Sequence, residues 1–166
     1  MSDLKALMLG SPRRTLAVAE SVTSGRLQAR IGAISGASEF YLGGMTVYSL
    51  DQKVRRLGVD RDLAAAVNSV SGAVAEQMAR GVCDLFGSDI GVATTGYAEP
   101  SAMFNVDVPF AWWGLARRQP GGSFAVQSGR TECPGLARVE VQERVATVAL
   151  DALVAWITGP AAARRT

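Results

Sequence analysis

Three groups of polar residues each follow an apolar segment of strand length, and their residue types could support nucleophilic chemistry. Residues 20–25 follow the first segment, Tyr48 and Ser49 follow the second, and residues 94–96 follow the third. The carboxyl ends of parallel strands line the ligand crevice of an α/β sheet, so these groups are expected to meet at one edge. Ser21 is the candidate nucleophile, although a serine in a strand-to-helix turn is more often a helix cap.

The base that would activate Ser21 has to be something other than histidine, because the sequence contains none. This excludes a Ser-His-Asp triad and leaves Lys, Tyr, Asp, Glu or water activated in another way. Lys53 lies about one helical turn beyond Tyr48 and could reach back toward it. A lysine acts as a base where burial or nearby cations lower its pKa. Backbone N–H groups in the turn after Ser21 could hold the developing oxyanion.

The elements that must position these groups alternate between helices and strands. Helices are predicted at residues 2–10, after residue 25, at residues 50–57, from residue 60, between Ser71 and Gly87, and at residues 136–156. Strands are predicted at residues 15–19, 40–48, 90–95, 110–117 and 124–128, with the last two as a hairpin. Gly43 and Gly44 indicate a bulge or a close approach in the second strand.

This order of elements predicts an α/β protein with three α/β/α layers around a mixed, mostly parallel central sheet. The 166 residues, 48% of them hydrophobic, fit a single domain with a sizeable core. Residues 1–14 are expected to form an N-terminal helix and lead-in, and residues 159–166 a disordered tail.

The charge and hydropathy patterns exclude several classes of partner. The formal net charge is only +2 and no basic stripe is present, so the sequence carries no footprint for nucleic acid. No apolar run approaches the roughly 20 residues of a membrane helix, and the N-terminus lacks the pattern of a signal peptide. We therefore expect a cytoplasmic protein with a small-molecule substrate, and with neither nucleic acid nor membrane as a partner.

The order of the motifs resembles that of CinA C-terminal domains. Residues 19–25, AESVTSG, are similar to the AESCTGG signature of that family. Further matching elements follow in the same order: Gly36-Ala37-Ser38, Gly43-Gly44, Tyr48-Ser49 with Lys53, Val70-Ser71 with Met78-Ala79, and the TGYAEP segment at residues 95–100. The resemblance is close from about residue 15 to residue 100 and looser through the last helix, and several ordered motifs are more specific than any one alone.

The resemblance implies an amidase that hydrolyses nicotinamide mononucleotide to nicotinate mononucleotide and ammonia. It implies Ser21 as nucleophile, with Tyr48 and Lys53 as its activating partners. The substrate-binding residues that it implies are Glu20, Thr23, Gly25, Thr95, Gly96 and Arg138, the last as a phosphate contact. The reaction requires no metal and no redox cofactor, so we expect neither. Members of the family commonly associate, so a homo-oligomer is also expected.

Two departures from the family pattern lie in the first motif, beside the candidate nucleophile. Val22 replaces a cysteine, which exchanges one small buried side chain for another. Ser24 replaces the first glycine of the motif, which costs little unless the backbone there needs a positive φ.

The remaining departures lie further along the chain, in a loop, in the strand after it and in the segment before the last helix. The glycine-rich AGPGGG loop of the family reads AEPSAMF at residues 98–104, and Glu99 adds negative charge where a phosphate is expected. The PVGTVY strand becomes residues 109–114, which include Trp112 and Trp113, two bulky residues more typical of core or interface than of a pocket. The segment at residues 130–135 also lacks the usual short acidic-arginine turn. These changes fall at the expected phosphate site, not at the nucleophile.

Three functions therefore stay open. The first is hydrolysis of nicotinamide mononucleotide, and the second is hydrolysis of a different, non-phosphorylated amide by the same centre. The third is a non-catalytic ligand-binding or assembly module that has kept the fold. This third function predicts that Lys53 lies too far from Ser21 to interact, even through one water.

Overall fold

The structure is a computed structural model, and it describes residues 2–159 of the 166-residue chain. Within these residues the helices are α1 (Ser2–Leu9), α2 (Arg26–Gly32), α3 (Leu50–Leu57), α4 (Arg61–Ala66), α5 (Gly72–Phe86) and α6 (Arg138–Thr158). The strands are β1 (Leu16–Glu20), β2 (Tyr41–Thr46), β3 (Ile90–Tyr97), β4 (Phe110–Arg118) and β5 (Phe124–Glu132), and short 3₁₀ turns occupy Ala37–Glu39 and Ala102–Phe104. The predicted C-terminal tail lies, apart from Gly159, outside the described residues.

The five strands form one sheet in the order β2-β1-β3-β4-β5. Strands β2, β1 and β3 are parallel neighbours. Strand β4 is antiparallel to both β3 and β5, so it is the one strand among the five that runs against the others. The predicted mixed, mostly parallel sheet and the predicted β4–β5 hairpin are both confirmed.

The central strand β1 shows why the sheet is covered on both faces. All five of its residues are buried, as expected for a continuous apolar run between two helical layers. Leu16 and Val18 point into the core beneath α1, α2 and α6. Ala17 and Ala19 point into the opposite core, beneath α3, α4 and α5. The alternation of side chains along one strand thus joins both layers and confirms the three-layer prediction.

Gly44 allows β2 to lie close against β1. The register shifts so that Leu16 pairs with Tyr41 and Ala17 with Gly43, which leaves a bulge at the residue between them. A Cβ on Gly44 would lie 2.8 Å from the carbonyl oxygen of Val18. Of the two alternatives predicted at this pair, the close approach is present at Gly44, and the bulge lies one residue before the pair, at Leu42.

Helix α5 packs directly on the backbone of β3 and β4 because glycines face it from both strands. A Cβ on Gly91 would overlap the carbonyl oxygen of Ala79 and lie 2.7 Å from the Cys83 sulfur. A Cβ on Gly114 would likewise overlap the backbone of Ala75. Among residues 2–159, no helix combines the length and the apolarity needed to cross a membrane.

Substituting Gly91 tests this close packing. Gly91→Ala is expected to lower the free energy of unfolding by about 1–3 kcal/mol, because the methyl group would push α5 away from the sheet. Urea unfolding followed by circular dichroism measures the change. Gly32→Ala is the matched control, since a Cβ at that helical position meets nothing within 4 Å. Equal unfolding curves for the two variants would contradict the packing described.

Candidate active site

Ser21 lies in the turn that leads from β1 into α2. Its N–H donates to the carbonyl oxygen of Thr94 at 3.0 Å, which anchors the turn to β3. The chain then reverses through Ser24 and Gly25, both in the left-handed region with φ of 49° and 95°. The departure from glycine at Ser24 therefore does occupy a position with positive φ, at a cost of about 1–2 kcal/mol. The turn leaves the Ser21 side chain at the rim of a pocket, with 7% of the residue exposed.

The Glu20 carboxylate lies behind this turn and caps α2. It is fully buried and accepts hydrogen bonds from the backbone N–H groups of Gly25 at 2.9 Å, Leu27 at 3.2 Å and Gln28 at 2.8 Å. A carboxylate at a helix N-terminus satisfies backbone donors that would otherwise lack partners. Glu20 and Gly25 thus hold the turn in place, where the sequence predicts substrate contacts.

Thr23 also supports the turn from within the protein. Its side chain is buried, and its hydroxyl oxygen lies 2.7 Å from that of Thr94. This contact ties the turn to β3 a second time. The structure therefore shows Thr23 in a contact that holds the turn, and its role in substrate binding stays a prediction.

Lys53 lies in the first turn of α3, the helix that follows β2, and its side chain extends toward Ser21. Ser49 caps the N-terminus of α3 through its side chain, and this fixes the helix from which Lys53 projects. The Lys53 ammonium nitrogen donates to the Ser21 hydroxyl oxygen at 3.0 Å and to the carbonyl oxygen of Tyr48 at 3.0 Å. Lys53 is only 2% exposed, and burial lowers its pKa to about 8. A substantial fraction is therefore a neutral amine slightly above neutral pH, able to accept the serine proton.

Tyr48 contributes to this group through its backbone, not through its phenol. Its side chain is largely exposed, and the phenol oxygen accepts a hydrogen bond from Arg138 Nη2 at 2.9 Å. Arg138 Nη1 in turn donates to Glu99 Oε1 at 2.8 Å. The Lys53 amine therefore contacts the peptide carbonyl of Tyr48 and not its phenol, and the Arg138 guanidinium is already paired; the predicted role of Tyr48 as an activating partner stays a prediction.

The pocket in front of Ser21 has a volume of about 350 Å³ and includes two of the predicted substrate residues, Thr95 and Gly96. The Thr95 hydroxyl donates to the carbonyl oxygen of Ser69 at 2.7 Å, so it braces the opposite wall. A Cβ on Gly96 would lie 2.6 Å from the Cα of Ala111 in β4, so a larger residue would not fit there. Further lining residues that the sequence did not predict are Leu50, Asn68, Ser69, Val70, Tyr97 and Phe104.

The wall formed by Asn68 and Ser69 has an unusual backbone. Both residues have positive φ, at 48° and 60°, and such strain concentrates at functional sites. Asn68 Nδ2 donates to the Tyr97 hydroxyl at 3.0 Å. The Asn-Ser pair between two helices is a turn signal in the sequence, but nothing in the sequence connects that turn to Ser21.

Two backbone N–H groups follow Ser21 in the turn without a hydrogen-bond acceptor among the described residues. Among residues 2–159, the N–H groups of Val22 and Thr23 donate to no other residue, and Val22 lines the pocket. The first donors of α2 are occupied by Glu20 and cannot serve this purpose. In the same described range, no three His, Cys, Asp or Glu residues cluster in a way that could hold a metal ion.

Comparison with known sequences points to one family. The CinA C-terminal domain family matches residues 2–157. A CinA-like protein of Chlorobium limicola is 39% identical over 145 residues, covering 86% of this chain and 33% of that protein. A CinA-like protein of Mycolicibacterium gilvum is 39% identical over 157 residues, covering 95% of this chain and 36% of that protein. The chain spans about a third of the length of these curated relatives.

Comparison with solved structures points to the same family as the sequence comparison. A competence-damaged protein (CinA) superfamily protein from Enterobacter cloacae superposes with a TM-score of 0.82 at 25% identity, covering 95% of this chain and 89% of that chain. A competence or damage-inducible protein from Enterobacter asburiae gives a TM-score of 0.80 at 25% identity, with 95% of both chains covered.

Substituting Glu20 distinguishes a helix cap from a substrate contact. Glu20→Gln is expected to lower the free energy of unfolding by about 1–3 kcal/mol, because an amide group would face buried backbone donors that need an acceptor. Chemical denaturation measures the loss. Glu140→Gln is the matched control, since Glu140 accepts from the N–H of Ala137 at an exposed helix start and should cost much less. Wild-type stability in Glu20→Gln would return Glu20 to the predicted role in substrate binding.

Proposed function

This chain belongs to the CinA C-terminal domain family, and we propose from that premise and from the geometry at Ser21 that it is an amidohydrolase. The proposed reaction converts nicotinamide mononucleotide and water to nicotinate mononucleotide and ammonia. The observation that carries the proposal is the 3.0 Å hydrogen bond from the buried Lys53 amine to the Ser21 hydroxyl oxygen. In a chain without histidine, this contact supplies both a nucleophile and a base.

The proposed chemistry proceeds through a serine ester. The Ser21 oxygen attacks the carboxamide carbon while its proton passes to the neutral Lys53 amine. The N–H groups of Val22 and Thr23 stabilise the charge that develops on the carbonyl oxygen. As the C–N bond breaks, Lys53 returns the proton to the leaving nitrogen, and ammonia departs. Water then attacks the ester with Lys53 as base, which releases the carboxylic acid and restores the serine.

Hydrolysis of a different small amide by the same centre is a second candidate. It is favoured by the hydrogen bonds that already join Arg138 to Glu99 and to Tyr48, because they occupy the cation expected to hold a phosphate. A non-catalytic module is less well supported, since it requires Lys53 to lie out of reach of Ser21.

Removing the Ser21 hydroxyl tests the proposed nucleophile. Ser21→Ala is expected to reduce ammonia release from nicotinamide mononucleotide by at least about 10³-fold, because no other group can form the ester. A coupled assay for ammonia measures the rate. Ser88→Ala is the matched control, since Ser88 is also buried but donates to the carbonyl of Ile90 at the opposite end of β3. Equal rates for Ser21→Ala and wild type would exclude the mechanism.

The pKa of Lys53 sets the pH dependence expected for the reaction. Only the neutral amine accepts the serine proton, and burial lowers the Lys53 pKa from 10.5 to about 8. Below that pH the neutral fraction falls about tenfold per unit, so kcat/KM should rise with pH to about 8 and then level off. Rates of ammonia release from about pH 6 to about pH 10 give the profile. Lys53→Arg stays protonated throughout and should be inactive; a flat wild-type profile would show that Lys53 is not the base.

A further inference from the structure

The rim of the pocket carries three side chains joined by hydrogen bonds, those of Tyr48, Arg138 and Glu99. Tyr48 lines the pocket, and its phenol oxygen accepts from Arg138 Nη2 at 2.9 Å. The other terminal nitrogen of the same guanidinium donates to Glu99 at 2.8 Å, and the two form an ion pair. Both side chains are well exposed, at 44% for Arg138 and 61% for Glu99. The guanidinium is thus accessible to a substrate but already carries a negative partner.

The distribution of charges around the pocket makes the Arg138–Glu99 pair important for the binding of anionic substrates. Among the described lining residues, Lys53 is the one Lys, Arg, Asp or Glu, and its amine is directed to Ser21. A substrate whose carboxamide reaches Ser21 has its remaining groups at the rim, where Arg138 lies beside Tyr48. A phosphate there would need Arg138, and it would meet the Glu99 carboxylate on the same guanidinium.

The rest of the rim carries aromatic side chains that suit a planar ring. Tyr97 and Phe104 line the pocket with their ring centroids 5.7 Å apart, and Tyr48 adds a third ring, which is exposed. Aromatic faces bind planar rings through apolar contact and stacking, which do not require a charge on the ligand. The aromatic rings therefore suit a planar carboxamide ring, and the Arg138–Glu99 pair bears separately on whether a phosphate is bound with it.

We propose that Glu99 is a specificity-determining residue, which lowers the preference of the site for a phosphorylated over a non-phosphorylated carboxamide. The proposal rests on the amidohydrolase function proposed above. Glu99 acts by competition, because its carboxylate and a phosphate require the same donors of Arg138. An exposed ion pair is weak enough to be displaced, but the displaced carboxylate stays beside the phosphate and repels it.

The test compares two substrates that differ only in the phosphate, nicotinamide mononucleotide and nicotinamide riboside. Glu99→Gln removes the negative charge and keeps the size of the side chain. It is expected to raise kcat/KM for the mononucleotide about tenfold, because a charge-assisted contact to Arg138 becomes available. The value for the riboside should change by less than about twofold, since that substrate has no group for Arg138. A general effect on folding would move both values together.

Two controls test whether the effect of Glu99→Gln depends on its ion pair with Arg138. Asp84→Asn removes another exposed carboxylate that is paired with an arginine, Arg118, at the far end of α5, and it should leave the ratio of the two kcat/KM values unchanged. In an Arg138→Gln background, Glu99→Gln should no longer raise the value for the mononucleotide. An unchanged ratio in Glu99→Gln, or a gain that persists without Arg138, would overturn the proposal.

A binding measurement separates this proposal from the proposed activity. Calorimetry in a Ser21→Ala background gives the affinities of both ligands without turnover. If no variant hydrolyses either compound but Glu99→Gln still binds the mononucleotide about tenfold more tightly, the proposed activity fails and the role of Glu99 stands. If hydrolysis occurs and neither affinity nor rate depends on Glu99, the role of Glu99 fails alone.

Discussion

A buried lysine amine held against a serine hydroxyl is the contact on which the site depends. Removing an ammonium group from water disfavours its charged form, and this lowers the Lys53 pKa to about 8. The amine has two hydrogen-bond acceptors here, the Ser21 oxygen and the Tyr48 carbonyl. Neither is a carboxylate, so no negative charge restores the ammonium form. A reactive amine therefore follows from burial together with neutral partners, in a chain that has no histidine to serve instead.

The sheet and its buried polar contacts keep this contact in place. Strand β1 is buried on both faces, and this packing fixes its carboxyl end. The turn at Ser21 follows that end directly, so its position is fixed as well. Glu20 secures the start of α2 from below, and the paired hydroxyls of Thr23 and Thr94 secure the turn to β3. On the other side, the bulged β2 leads into α3, which carries Lys53. Ser21 and Lys53 thus follow two neighbouring strand ends, and each is held by its own set of contacts.

The sequence predicts the three layers and the mixed, mostly parallel sheet, because apolar runs and turn residues are local signals. It also brings Ser21 and Lys53 to one edge of the sheet, since both follow parallel strands. It does not predict that Tyr48 acts through its carbonyl, because a backbone group has no signature in residue type. The capping contacts of Glu20 are not predicted for a related reason: a carboxylate beside a serine suggests a ligand contact, and only the path of α2 shows that its oxygens accept from backbone N–H groups. The wall at Asn68 depends on how two helices dock, which no local pattern encodes.

The departures from the family pattern divide according to the elements that carry them. Val22 and Ser24 lie in the rigid turn, and both keep its shape, although Ser24 adopts a positive φ. Glu99 lies in the loop after β3 and reaches the first residue of α6, so it alters charge at the rim without touching Ser21 or Lys53. Because the groups that would break the amide bond and the groups that would choose the ligand are on different elements, one set can change while the other is preserved. An active centre with a changed rim is therefore the expected result of these substitutions, more than a lost activity.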